Sequence, residues 1–246
     1  MPDKNLASIR NSFATTRWTL VATAAEKETP EAKAALESLC QSYWMPLYAF
    51  ARRKTNSLEE AQDLTQTFFV ELLEKNYVAT ATPNRGRFRS FLLTAFKNFI
   101  SKQWEKNKTQ KRGGHVKRLS LDFQTADSSI RIDPASGLTS DQIFDQQWAI
   151  ALLDQVLFRL QDEFSQSGKT ERFDTLKQFV IGDHSGATYA DVAQRLELTE
   201  AAVKKSVSRM RSRYRELLRD EISNTVANPD EIDDEIRSLF AVLQAN

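Results

Sequence analysis

The stretch Thr188-Tyr189-Ala190-Asp191-Val192-Ala193-Gln194-Arg195-Leu196-Glu197-Leu198-Thr199-Glu200-Ala201-Ala202-Val203-Lys204-Lys205 reads as a short helix, a tight turn and the start of a second helix. Thr188, with Asp191 three residues on, makes a box-like start in which short side chains satisfy backbone donors of the first turn. Val192, Ala193 and Leu196 form the buried side of the short helix. Glu197-Leu198 is the turn, and Thr199 caps the helix that follows. That helix carries Val203, Val207, Met210, Tyr214 and Leu217 at alternating spacings of four and three, a narrow apolar seam. Lys204, Lys205, Ser208, Arg209, Arg211 and Ser212 fall off the seam. A basic, Ser-bearing helix start behind a tight turn fits the helix-turn-helix geometry for entering a DNA major groove. Arg and Lys can pair with guanine edges or phosphates, and Ser is a small adaptable partner. A plain bundle helix with a basic exterior would explain the charges, but not the turn spacing that accompanies them.

Around this stretch, further helices are expected over 146–164 and 170–181, with the second helix of the pair reaching about 219. Together they make a domain at 145–223. The net charge of +1 conceals two basic islands and an acidic end. Lys97, Lys102, Lys106, Lys108, Lys111, Arg112, Lys117 and Arg118 are opposed only by Glu105. Lys204, Lys205, Arg209, Arg211, Arg213, Arg215 and Arg219 are opposed only by Glu216. A single charge run is usually a solvated face; two such runs, each within an amphipathic helix, point to a polyanion.

A first helical domain is expected over 32–110. Its first helix places Leu36, Leu39, Cys40, Tyr43, Leu47 and Phe50 on one side, and Pro46 should bend or interrupt it. Ser57 and Glu60 form a capping box for the next helix, whose stripe is Ala61, Leu64, Phe68 and Leu72. Its opposite face presents Glu59, Asp63, Gln66, Thr67 and Glu71. A third helix is expected over 88–106, after Pro83-Asn84-Arg85-Gly86. There Phe88, Phe91, Phe96, Phe99 and Trp104 alternate with Arg87, Arg89, Lys97, Lys102 and Lys106. Most of these rings belong to a core, although cations among rings can also hold single-stranded DNA. Gly113-Gly114 ends the pattern, and 111–144, with Gly, Ser, Pro134 and scattered Asp, reads as a flexible linker.

Composition bounds the rest. Abundant helix formers and few Gly or Pro, with no convincing strand pair, give an all-α fold of two small helical domains. No apolar run approaches the roughly 20 residues of a membrane span, and no signal-peptide pattern is visible, so a cytoplasmic protein without membrane insertion is expected. With one Cys and two His, neither an internal disulfide nor a Cys or His metal site is expected. The chain lacks a phosphate-cradling Gly loop, paired carboxylates in an apolar setting, and a nucleophile with a base. It is therefore not read as an enzyme, and no cofactor or metal is expected.

Three stretches resemble one family. Glu60-Ala61-Gln62-Asp63-Leu64-Thr65-Gln66-Thr67-Phe68 resembles the "AEDLTQETF" stretch of the extracytoplasmic-function (ECF) group of bacterial sigma factors. Phe88-Arg89-Ser90-Phe91-Leu92 followed by Phe96-Lys97-Asn98 is similar to that group's "F-x-x-W-L…A-x-N" stretch. Tyr189-Ala190-Asp191-Val192-Ala193, Leu196 and Ala202-Val203-Lys204 resemble its "Y-x-E-I-A…L…V-K" pattern. Lys111-Arg112-Gly113-Gly114 and Thr16-Arg17-Trp18 are similar to variants in planctomycete-type members. Gln62 departs from the usual Glu and Phe91 from the usual Trp, whose indole N–H donor is thereby lost.

The resemblance implies an alternative sigma factor whose partners are bacterial core RNA polymerase and promoter DNA, with an anti-sigma protein or other regulator as a further partner. Glu59, Asp63, Gln66 and Thr67 would dock on the polymerase. Arg87, Phe91, Lys97, Asn98 and Lys102, with the loop 78–87, would lie near the melted downstream promoter element and a flipped base. Lys204, Lys205, Ser208, Arg209, Arg211 and Ser212 would read the upstream element. The rival is a helix-turn-helix transcriptional regulator that is not a polymerase subunit; it leaves the first-domain stretches without an account.

Residues 1–31 and 224–246 flank this core as an N-terminal extension and an acidic amphipathic helix. The latter starts at Asn228-Pro229, carries acids from Asp230 to Glu235, and has the stripe Ile232, Ile236, Leu239, Phe240 and Leu243. It is expected either as a lid on the second domain or as a competitor with DNA for the basic helix there.

Overall fold

The computed structural model describes residues 18–26, 29–75, 77–82, 86–109, 121–123, 137–182 and 186–244. Among the described residues the chain is all-α, with short 3-10 turns and no strand. It divides into two compact units, one running to Leu152 and resuming at Ile222, the other Leu153–Glu221.

The first unit begins with α1 (Trp18–Ala25), α2 (Pro30–Lys54) and α3 (Leu58–Lys75), then a 3-10 turn (Tyr77–Thr80) and α4 (Phe88–Thr109). Thr29 caps α2, its hydroxyl oxygen accepting from the Ala32 N–H at 3.0 Å. The expected interruption at Pro46 does not occur, and α2 runs through it. A Pro inside a helix costs about 3 kcal/mol. Beside it Tyr43, Leu47, Tyr48 and Phe50 are almost wholly inaccessible, and each such side chain contributes roughly 1.5–3 kcal/mol, which outweighs that cost. Half of the Ser57–Glu60 box forms: the Ser57 oxygen accepts from the Glu60 N–H at 3.2 Å. The Glu60 carboxylate instead accepts from the Trp104 indole at 3.1 Å, tying α3 to α4. Phe68 packs against Phe69, Phe96 and Phe99 at ring separations of 5.7, 4.9 and 5.5 Å, so these rings are core.

Parts of the expected linker are anchored in this unit. Phe123 is buried edge-on to Trp44 and Tyr48, at 5.6 and 4.8 Å. Leu138 is buried too, and its carbonyl accepts from Arg53 Nε at 3.2 Å. Helix α5 (Ser140–Gln166) starts several residues earlier than the sequence suggested, and Ile143, Phe144 and Trp148 bury its first turns. Gly113-Gly114, the neighbouring basic residues, and Thr16-Arg17 lie outside the described residues.

The second unit holds the rest of α5 with α6 (Thr170–Ile181), α7 (Tyr189–Arg195) and α8 (Glu200–Ser223). Gly182, at φ 77°, ends α6 in the left-handed conformation that Gly adopts without strain. Phe164 and Phe173 pack at 5.8 Å, and Val203, Val207, Met210 and Leu217 form the buried seam of α8. Tyr214 is half-buried, and its hydroxyl donates to the Leu153 carbonyl at 3.3 Å.

The acidic end belongs to the first unit. It consists of a 3-10 turn (Pro229–Glu231) followed by α9 (Ile232–Gln244). Leu239 is buried, Ile232, Ile236 and Leu243 are half-buried, and Phe240 remains exposed. Glu235 is buried as deeply as Leu239 and pairs with Arg87 and Arg89 at the head of α4. The expected lid on the second domain is therefore a lid on the first, because the partner cations sit there.

Candidate nucleic-acid interface

In the second unit the capping box that opens α7 is complete. The Asp191 N–H donates to the Thr188 oxygen at 3.2 Å, and the Asp191 carboxylate accepts from the Thr188 N–H at 2.8 Å. The Thr188 hydroxyl, and then its backbone N–H, hold the Asp191 carboxyl below the usual carboxylate range. The turn that follows is a Schellman motif: Leu198 N–H donates to the Ala193 carbonyl at 2.9 Å, and Glu197 N–H to that of Gln194 at 3.3 Å. Glu197 occupies the left-handed position, φ 53°, where Gly is favoured. Thr199 then caps α8, accepting from the Ala202 N–H at 3.2 Å. Tyr189 stacks on Phe179 at 4.4 Å, which fastens α7 to α6.

On α8, Lys204, Lys205, Ser208, Arg209 and Ser212 are exposed beside the buried seam. Lys204 lies 3.5 Å from Glu200 and 5.7 Å from the centre of the Tyr189 ring. Arg211 is different. Its Nε and Nη2 donate to the Phe179 carbonyl at 3.0 and 2.7 Å, so its guanidinium satisfies the end of α6. Arg213 is likewise engaged within the unit, 2.7 Å from Glu163 and 2.8 Å from Glu216. Those hydrogen bonds raise the pKa of Arg213 and lower that of Glu163.

In the first unit a groove of about 470 Å³ runs along α4, lined by Tyr77, Thr80, Phe91, Asn98, Lys102 and Lys106 among others. Phe91, Asn98, Lys102 and Lys106 recur at helical spacing, on one face of α4. Lys75, on the same groove, has its ammonium 2.6 Å from Glu71, whose hydrogen bond raises its pKa. Two of the expected downstream residues are not among the groove's lining. Lys97 pairs with Asp141 and lies 5.9 Å from the centre of the Phe50 ring. Arg87 pairs with Glu235 at 2.6 Å. Of the loop 78–87, residues 83–85 lie outside the described residues.

The polar face of α3 carries the expected docking set. Glu59 and Asp63 are exposed, Gln66 and Thr67 half-buried. Glu59 is held below the usual carboxylate range by a backbone N–H and by the Ser57 hydroxyl, which donates to it at 2.8 Å. Asp63 and Thr67 line a depression of about 360 Å³ with Glu60, Leu64, Phe99 and Gln103. Sequence reasoning missed Tyr77 and Gln103, whereas Thr80 falls within the expected loop 78–87; Gln103 and Lys106 continue the helical row of α4, and the 3-10 turn at Tyr77 has no periodic signal.

The family model described as ECF sigma factor matches residues 29–220, which takes in both units and leaves out α1 and α9. No curated protein and no solved structure matches the chain. Among the described residues no helix is long and apolar enough to cross a membrane. With that match spanning most of the chain over an all-α framework, the protein belongs to the family of ECF sigma factors.

Proposed function

We propose that the chain serves as an alternative sigma factor, binding bacterial core RNA polymerase and directing promoter recognition and transcription initiation. The polymerase docks on the polar face of α3, at Glu59, Asp63, Gln66 and Thr67. The second unit, Leu153–Glu221, is the helix-turn-helix domain, in which Lys204, Lys205, Ser208, Arg209 and Ser212 read the upstream promoter element. The first domain holds the melted downstream element along α4.

The observation that carries this reading is the groove on α4, where Phe91, Asn98, Lys102 and Lys106 share one opening. A ring for stacking, an amide for a base edge and cations for the backbone are what an unpaired strand requires. Family membership supports the polymerase as partner. The experiment is reconstitution with bacterial core polymerase on promoter DNA, followed by mapping of start sites. Initiation at defined positions is expected. Salt-dependent DNA binding without initiation would favour a transcriptional regulator that is not a polymerase subunit.

A further inference from the structure

Arg87 and Arg89 bracket Phe88 at the head of α4, and both reach one carboxylate on α9. Arg87 Nη2 lies 2.6 Å from Glu235 Oε2, while Arg89 is bonded to both Glu235 oxygens. Glu235 has no exposed surface and Arg89 only 7%, whereas Arg87 is half-buried. Behind them the Arg89 guanidinium lies 4.1 Å from the centre of the Trp148 ring and 3.6 Å from Asp145. Asp145 has its carboxyl raised by burial, against the pull of Arg89. The two arginines, backed by an indole, form an anion cradle, and Glu235 fills it.

A plain packing role accounts poorly for this carboxylate. Burying an ion carries a desolvation penalty that its partners must offset, whereas an apolar side chain beside Leu239 would dock the helix without it. Nor is the acid isolated: Asp230, Glu231, Asp233 and Asp234 crowd the start of the same segment. Arg87 also stands four residues before Phe91 and eleven before Asn98, at the head of the row that lines the α4 groove. The cradle arginines fall inside the stretch matched by the family model, while Glu235 falls outside it. The plug is thus an addition to the part shared with the family.

We propose that the Arg87–Arg89 cradle is a site for a backbone phosphate of the unpaired DNA strand, and that Glu235 occupies it in the free protein. The C-terminal helix is then a phosphate mimic that DNA must displace, located on the first domain rather than on the basic helix of the second. This rests on the reading of α4 as the strand-binding face.

The test uses the full chain bound to core polymerase and a fluorescent single-stranded oligonucleotide carrying the downstream promoter element. Glu235→Gln is expected to tighten binding about fivefold or more, a typical coupling between linked sites. In the Arg87→Ala background the same substitution should give no gain, because the freed cation is gone. Unchanged affinity for Glu235→Gln, with Lys102→Ala still weakening binding, overturns the phosphate site and leaves the groove reading standing. No effect of either overturns both. Hydrogen exchange on the unmutated protein removes any dependence on how variants fold: saturating oligonucleotide should speed exchange across 232–244. Unchanged protection there at saturation overturns displacement.

Discussion

Arg211 reaches back across the second unit to the carbonyl of Phe179, donating two hydrogen bonds at 3.0 and 2.7 Å. This separates two arginines that look alike in sequence, since Arg209 is exposed on the face that carries Lys205 and Ser208. Arg211→Ala should destabilise the protein by about 1.5–3 kcal/mol, the worth of hydrogen bonds from a charged group, and leave promoter preference intact. Arg209→Ala should leave the melting temperature unchanged and weaken binding to the upstream element by about 1 kcal/mol or more. Thermal melts paired with binding to promoter and scrambled duplexes check both. An Arg211 variant with altered base preference would return that residue to the DNA face.

Glu197 holds φ 53° at the turn between α7 and α8, where both Schellman hydrogen bonds are already made. A side chain there pays for a left-handed backbone without gaining a contact the turn requires. Glu197→Gly should therefore stabilise the second unit by about 0.5–1 kcal/mol, with Glu197→Ala giving no gain. Denaturant midpoints of the three proteins measure it, and a Gly variant less stable than the Ala variant would refute the strain.

What could be read from the sequence follows the range of the interactions. Thr188, Asp191 and Thr199 act on neighbours three residues away, so their spacing announced both helix starts. The seam Val203, Val207, Met210 was equally local. Phe123 and Leu138 gave no such sign, because each is a single apolar residue that meets α2 from far along the chain. Lys97 and Arg87 enter through the resemblance as residues near the melted element; their carboxylate partners lie 44 and 148 residues away, beyond the reach of any local spacing. Glu60 shows the same limit at short range: a long-range donor, the Trp104 indole, took the carboxylate that a capping box would have used.

Burial, and then the nearby Glu37, push the Cys40 thiol up to about 12. The thiol is thus neutral in the folded protein where an unfolded one, near pH 8.5, is ionising. Iodoacetamide at pH 9 should modify Cys40 slowly in native protein and rapidly in denaturant. Because the folded-state value is the higher, this contribution to stability is complete below about pH 8.5 and declines as pH climbs toward 12. Native labelling as fast as that of a free thiol would show that α2 opens.

Lys102 is exposed on the groove of α4, away from the Lys97–Asp141 pair. If it holds a backbone phosphate, Lys102→Ala should flatten the slope of log affinity against log salt by about 0.7, the value for one contact on a single strand. Lys97→Ala should leave the slope unchanged, since its ammonium is held by Asp141. Titrations of the holoenzyme with single-stranded promoter DNA over a salt series distinguish the two. Equal slopes for all three proteins would remove Lys102 from the interface.

Asp63 tests the remaining surface. It is exposed at the edge of the depression lined by Thr67 and Gln103, so reversing its charge disturbs no core contact. Asp63→Arg should weaken binding to core polymerase roughly tenfold, through like-charge or lost polar contacts at the docking face. Duplex binding by the free chain should not change, because that belongs to α8. Fluorescence anisotropy with labelled core polymerase, run beside a duplex-binding titration, reads the two separately. A variant that keeps full polymerase affinity would move the docking site off α3, whereas loss of both activities together would mean that the substitution damaged the fold.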